Sequence, residues 1–313
     1  MTRLTLYVGA TEISIGAQNG IAGEYHEDVA PISYTFPAYF GTVISPNLPI
    51  SFGWGAGSPI SGMGATTWSV RYQAMIAPPV STSYQFIVAA DDGIALAVAN
   101  TPLKTDWVTT NGVVTRTSSS IYLEAGKLYP LTLSYFNYTG TGRLLLQWRY
   151  NVCGDDEMCP RRIFVVPASA LWPMTQKTYY LFGGSRVAMR TAAGGPLTYL
   201  YGDHLGSASL TADASGVNIA EQRYKPYGEV RWSSGTMSSS FGFTGQRTSS
   251  YGTIFMFARE YLPSLGRFLN ARLAGIAVGC AVMRSAAPRQ RGDRSPHPAR
   301  RGAGWSRRPA CAR

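Results

Sequence analysis

The chain has 313 residues, 45% of them hydrophobic and only 14% charged, which excludes an intrinsically disordered protein and leaves length for two domains. Its formal net charge of +11 is unevenly spread, because residues 271–313 carry ten Arg against one Asp, leaving only +2 on the other 270 residues. A nucleic-acid-binding reading therefore rests on that tail alone, and 34 Gly with 19 Tyr favour an all-β protein rich in turns.

Residues 1–20 read as a leader with one strand, Leu4–Val8, and no clear domain. No secretion signal is legible at its start, and the longest apolar run, 273–283, is too short for a bilayer, which needs about 20 residues. The chain reads as soluble, with no membrane span. From Gly23 onward, apolar alternation recurs at 23–25, 50–54, 68–72, 84–88, 94–98, 121–123, 129–135 and 143–150, with Gly, Pro and Asp turn signals between. Strands at such regular spacing indicate a sandwich or a barrel, and no helical period competes.

The same residues carry a resemblance. Gly23-Glu-Tyr25, Gly53-Trp54 with Ser58-Pro59, and Ser69-Val-Arg71 come first. Tyr84-x-Phe86, Asp91-Asp92-Gly93, Leu123-x-Ala-Gly126, Leu146-x-Trp148 and Val166-Pro-x-Ser169 with Leu171-x-Pro173 follow in order. Together they resemble the PA-fourteen domain, a β-sandwich found in adhesins, glycosidases and toxins. The resemblance covers residues 20–173.

Asp91-Asp92 is the sharpest candidate for chemistry. Consecutive side chains of a regular strand point to opposite faces, so two such Asp share a cation only if a cis peptide brings both carboxylates to one side. The resemblance implies this arrangement, because the sugar-binding PA-fourteen members hold Ca²⁺ on such a pair and the ion meets vicinal sugar hydroxyls. Calcium takes six to eight oxygens, so another loop must contribute. Asn151, Asp155 and Asp156, after Trp148, are the available donors in the matching region. Trp107 or Tyr138 could offer a ring on which a sugar stacks, with core packing as the alternative fate. The competing reading of Asp91-Asp92-Gly93 is a plain hairpin turn between strands 86–90 and 94–98.

Beyond Pro173 the text alternates around Gly183-Gly184 and Gly194-Gly-Pro196, then reads as hairpins turning at Asp213-Ala-Ser-Gly216 and Lys225-Pro-Tyr-Gly228. Asp203-His-Leu-Gly-Ser207, Tyr224-x-Pro-Tyr-Gly-Glu229, Phe243-Thr-Gly-Gln-Arg247, Ala258-Arg-Glu-Tyr261 and Leu265-Gly-Arg-Phe-Leu269 resemble the associated core of Rhs/YD-repeat proteins. That likeness implies export, an export signal encoded upstream, and pairing with further Rhs/YD-repeat segments of the same assembly. It also implies self-cleavage beyond the Gly-Arg-Phe motif, but here Asn270-Ala-Arg272 replaces the usual continuation and Leu262 replaces an Asp. Autoproteolysis is not expected.

Cys153 and Cys159 close a small loop if the protein is exported, with free thiols as the alternative, and a C-x5-C pair without a nearby His is a poor zinc site. His204 beside Asp203 lacks a nucleophile and reads as structural; His26 and His297 are isolated. Asn137-Tyr-Thr139 matches a glycosylation sequon. The tail reads as disordered, and either binds an acidic partner through its Arg or is a degenerate end.

The expected architecture is thus all-β: leader 1–20, PA-fourteen-like sandwich 20–173, short antiparallel hairpin sheet 174–270 and disordered Arg/Pro/Ala-rich tail 271–313. The expected function is a non-enzymatic, calcium-dependent carbohydrate-binding or surface-recognition module attached to an Rhs-type toxin or secreted shell, at the cell surface or secreted. The alternative is a truncated Rhs effector whose enzymatic part is degenerate.

Overall fold

The computed structural model describes residues 4–27, 36, 38–154, 156, 158–192, 195–249, 252–256 and 259–269. Asp155 and the basic tail, with its expected disorder and nucleic-acid contacts, lie outside the described residues.

The chain opens with a hairpin of β1 (Leu4–Val8) and β2 (Thr11–Ile15). There follow β3 (Gly20–Glu27), β4 (Tyr39–Pro46), β5 (Ser51–Gly55), β6 (Trp68–Ile76), β7 (Thr82–Asp91) and β8 (Ile94–Val98). Next come β9 (Thr101–Asp106), β10 (Val114–Leu123), β11 (Tyr129–Asn137), β12 (Gly142–Asn151) and β13 (Arg161–Val165). β14 (Leu171–Phe182) leads into β15 (Ser185–Arg190), β16 (Thr198–Gly202), β17 (Ala208–Ala212), β18 (Asn218–Tyr224) and β19 (Val230–Ser234). β20 (Arg247–Thr248), β21 (Ile254–Met256), β22 (Arg259–Leu262) and β23 (Arg267–Phe268) close the described chain. No α-helix occurs among the described residues, and no helix there is long and apolar enough to cross a membrane. The fold is all-β.

β3 to β13 form a two-layer sandwich. One layer is ordered β4-β3-β6-β11-β8-β9; the other runs β10-β7-β12-β13, with β5 also on β12. Period-2 patterning makes the layers. In β8, Ile94, Leu96 and Val98 are buried while Ala95 and Ala97 are half-buried. β12 likewise turns Leu144, Leu146 and Trp148 inward. They meet Trp68, Tyr72, Tyr84, Phe86 and Tyr135, all fully buried. Each such side chain contributes about 1.5–3 kcal/mol by leaving water. Trp54 lies parallel to Tyr135 at 5.6 Å and edge-on to Trp68 at 4.8 Å, which caps one end of this core.

β14 belongs to two structures at once. Leu171 to Pro173 pair with Ile76 to Ala74 of β6, and from Met174 onward the same strand pairs with β2 and then β15. β15 to β19 add one after another. The leader is therefore two strands rather than one, and lies along β14. Its second strand escaped notice because Glu12 and Ser14 interrupt the apolar text. Glu12 is buried nonetheless, accepting hydrogen bonds from Tyr179 Oη at 3.3 Å and Ser240 Oγ at 2.9 Å.

The hairpins of this half reuse one turn. At 203–207, 213–217, 225–229, 242–246 and 249–253 the first N–H donates to the carbonyl four residues on, and a Gly in fourth place donates back to the first carbonyl. All five glycines have φ between +66° and +87°, the left-handed region that side chains resist. At Gly216 a Cβ meets nothing, whereas at Gly228 it lands 2.5 Å from the Phe243 ring. Gly216→Ala is expected to lose about 1–2 kcal/mol through backbone conformation alone. Gly228→Ala is expected to lose roughly 1–3 kcal/mol more through overlap. Urea midpoints of the two variants check the order; equal losses would refute the role of Phe243.

On β3, His26 is fully buried, with the Phe36 and Tyr39 rings edge-on at 5.1 and 5.6 Å. Burial, aided by the Arg71 cation, lowers its pKa from 6.5 to about 4. Between those values the unfolded chain binds a proton that the folded chain refuses. The stabilisation from neutral His26 is thus complete above about pH 6.5 and declines as pH falls toward 4. Denaturant midpoints at pH 7.5 and 5 should fall further for wild type than for His26→Phe, and equal falls would remove His26 as the cause.

Candidate functional site

Asp91 ends β7 and Ile94 begins β8, yet these strands lie in different layers: β7 pairs with β10 and β12, β8 with β9 and β11. Asp91-Asp92-Gly93 is therefore the step by which the chain crosses the sandwich, and the hairpin-turn reading is corrected. The Asp91–Asp92 peptide is cis. Gly93 is required by close approach, since a Cβ there would overlap the Phe136 ring and come within 2.9 Å of Val108 N.

Two loops meet at this step. The 107–113 loop sends Thr110 N to Asp92 Oδ1 at 2.7 Å and sets the Thr110 hydroxyl 3.2 Å from Asp91 Oδ1. The 138–141 loop sends Tyr138 N to Asp92 Oδ2 at 2.7 Å, with the Thr141 hydroxyl 3.5 Å from Asp91 Oδ2. One residue, Thr110, reaches both carboxylates, so they sit side by side. Behind them, Tyr135 Oη donates to Asp91 O. Burial, then the nearby Asp92 and Asp91 charges, push the Tyr135 pKa upward, keeping it a neutral donor. Asp91 and Asp92 are 5% and 2% exposed, and each oxygen keeps a lone pair beyond the hydrogen bonds described.

Asn137 completes this neighbourhood and was missed as a ligand candidate. It immediately precedes Tyr138, is 1% exposed, and its Oδ1 has no hydrogen-bond partner among the described residues. That oxygen sits beside Gly142, where an added Cβ would be 3.3 Å away. An orphaned buried amide oxygen is costly unless something pairs with it. Its burial also withdraws the sequon from glycosylation in the folded chain. In the sequence Asn137 showed only as the first letter of that sequon.

The sequence-derived partners of the aspartates fall elsewhere. β7 and β12 are antiparallel, with Arg143 opposite Asp91 and Arg149 opposite Gln85. Asn151 is eight residues beyond Arg143 on that strand, roughly 26 Å from the step. Its Oδ1 accepts from Cys153 N at 3.0 Å and its Nδ2 donates to Asp156 O. Asn151 and Asp156 thus organise the Cys153–Cys159 loop, which a disulfide closes with Cα atoms 6.0 Å apart. They do not join the aspartates. Trp107 does lie in the 107–113 loop, but half-buried, its ring 4.7 Å from Phe136 and 5.8 Å from Phe36. It packs, so Tyr138, 44% exposed and bonded through its amide to Asp92, is the open ring at the rim. Asp203 Oδ1 accepts from Leu205 N and Ser207 N within a turn, and His204 is exposed beside it.

No three His, Cys, Asp or Glu converge on a metal position among the described residues. A cation at the step would have two carboxylates and neutral oxygens only. That donor set fits calcium, a hard ion that accepts carboxylate, amide, carbonyl and water oxygens, and offers no nitrogen or sulfur to a softer metal. The orphaned Asn137 oxygen fits it too.

Residues 32–161 match the family model described as PA14 domain. Over 158 residues the chain is 30% identical to anti-sigma-I factor RsgI3 of Acetivibrio thermocellus, covering 50% of this chain and 22% of that protein. Over 93 residues it is 30% identical to toxin subunit YenC1 of Yersinia entomophaga, covering 28% of this chain and 10% of that one. The chain thus spans less than a quarter of either relative's length. A solved PA14 sugar-binding domain from an RTX adhesin is similar at 19% identity and a TM-score of 0.36, covering 47% of this chain and 96% of that one. The sandwich between residues 32 and 161 is a PA14 domain.

Proposed function

We propose that the chain is a non-enzymatic recognition module that binds a glycan through calcium held at Asp91 and Asp92. The observation that carries this reading is the pair of adjacent, buried carboxylates at a sheet crossing, each bonded by both flanking loops, with the unpartnered Asn137 Oδ1 nearby. A hairpin turn has no use for such an arrangement. Asp91, Asp92 and Asn137 would hold the ion, whose remaining coordination positions would accept paired hydroxyls of a sugar. Thr110 and Tyr138 fix both Asp92 oxygens through backbone N–H groups, which orients that carboxylate before any cation arrives. Val108 and Tyr138, both exposed, form an apolar rim on which a sugar ring rests.

The finer parts of the reading are location and attachment. A disulfide at Cys153–Cys159 suits an oxidising compartment, hence a secreted or cell-surface position. Attachment to an Rhs-type toxin or shell, with residues 174–270 as a scaffold segment, is supported by the ordered motifs between Asp203 and Leu269 alone.

Calorimetry with CaCl₂ should show one site with a Kd on the order of 10⁻⁴–10⁻³ M, the range of extracellular calcium modules. Asp92→Asn, which keeps the shape and removes the charge, should weaken it at least about tenfold. On a glycan array the wild-type signal should vanish with EDTA. A glycan signal that survives EDTA and Asp92→Asn, or no signal with any glycan in calcium, overturns the reading.

A further inference from the structure

The 107–113 loop leaves β9 at Asp106 and enters β10 at Val114, so its two ends start from opposite layers of the sandwich. Arg116 lies just inside β10, opposite Val88 of β7, whose side chain belongs to the core. Its own side chain is 3% exposed. Nε donates to Asp106 Oδ2 at 2.5 Å, and Nη1 lies 3.2 Å from both Ala90 O and Val114 O. One guanidinium thereby touches the residue before the loop, the residue after it, and the residue preceding Asp91.

We infer that Arg116 is a positioning residue, which with Asp106 sets the 107–113 loop at the distance where Thr110 meets both aspartates. Its importance for ligand binding rests on the calcium-dependent reading above; the geometric role does not. Nη2 is buried without a hydrogen-bond partner among the described residues, an arrangement that stability alone disfavours. An apolar side chain of similar volume would fill the space without that penalty, but only the planar fork of Arg reaches three anchors in a fixed geometry. Lys offers a single flexible point of contact.

The test uses the full chain as wild type, Arg116→Lys, Asp106→Asn and, as a remote control, Arg186→Lys. Arg186 is a half-buried Arg, bonded to Gly245 O in the hairpin half. Amide hydrogen exchange of Thr110 should accelerate at least about tenfold in the first two variants, as expected for loss of one bonded amide, while the Tyr138 amide keeps wild-type protection. Calcium dissociation constants should rise by about the same factor, and Arg186→Lys should change neither readout. A uniform loss of stability would speed both amides equally, which separates positioning from general destabilisation. Wild-type protection at Thr110 in folded Arg116→Lys overturns the inference. If that variant does not fold, wild-type protection in Asp106→Asn does so. Absence of calcium binding by the wild type removes the functional reading, and the Thr110 against Tyr138 contrast still decides the role of Arg116.

Discussion

A chain that crosses between two packed sheets must bury a stretch of backbone at the crossing, and every polar group there needs a partner. At Asp91-Asp92-Gly93 the partners come from β11: Tyr135 Oη meets Asp91 O, Asp92 N lies 3.4 Å from Phe136 O, and Phe136 N reaches Gly93 O at 3.2 Å. Once β11 is tied to the step, the 138–141 loop that leaves it is placed over Asp92. Gly93 then leaves room for Val108 and the Phe136 ring, which brings the 107–113 loop in from the other side. The site is thus a consequence of how the sandwich closes. Its two carboxylates are the place where demands from four strands meet.

The halves of the described chain are built on different principles. Between β3 and β13 a single aromatic core holds two layers together, and burial supplies the stability. From the second half of β14 onward the cores are small, Tyr179 with Met189 and Leu200 in one, Phe243 with Ile254 and Tyr261 in the other. There the repeated glycine turn and cations over rings do more of the work. Arg186 lies 3.4 Å from the Phe241 ring centroid and Arg259 3.6 Å from that of Phe268. Small cores tolerate little loss, so this half depends on its turns more than the sandwich does.

Strands with one buried face were legible in the sequence, because burial writes a period of two into the text: 94–98 is β8 itself, and 84–88 and 143–150 are the cores of the longer β7 and β12. β4, β9 and β13 were not, since strands at the margins of a layer bury little, and all five residues of β13 are exposed. The aspartate pair stood out as two neighbouring charges beside apolar alternation, but the same three residues also read as a hairpin turn, and only the pairing of β7 and β8 with different strands separates the two readings. The aspartates' partners were hidden. Thr110 and Tyr138 stand 18 and 46 residues from Asp92, and only strand pairing brings them there. Asn151 looked suitable by proximity to Trp148, but an antiparallel β12 carries it away from Asp91 with every residue. Of the two fates open to Trp107, stacking platform or core packing, its ring takes packing, against Phe136 and Phe36.

β14 joins β6 at Ile76, where β11 begins at Tyr129, whereas Asn137 and Tyr138 lie at the far end of the same pair, beside Trp68. Attachment and aspartates therefore occupy opposite poles of the sandwich, nine β6 residues apart, or roughly 30 Å. Tension applied between the aspartate pole and the hairpin sheet would run lengthwise along β6 and β11. It would load their ladder of hydrogen bonds in shear, many together, instead of unzipping them singly. The weak point under such a pull is the three-residue graft of Leu171 to Pro173 onto β6, where proline contributes no N–H. A sandwich joined this way would part from the hairpin sheet before its aspartate pole distorted.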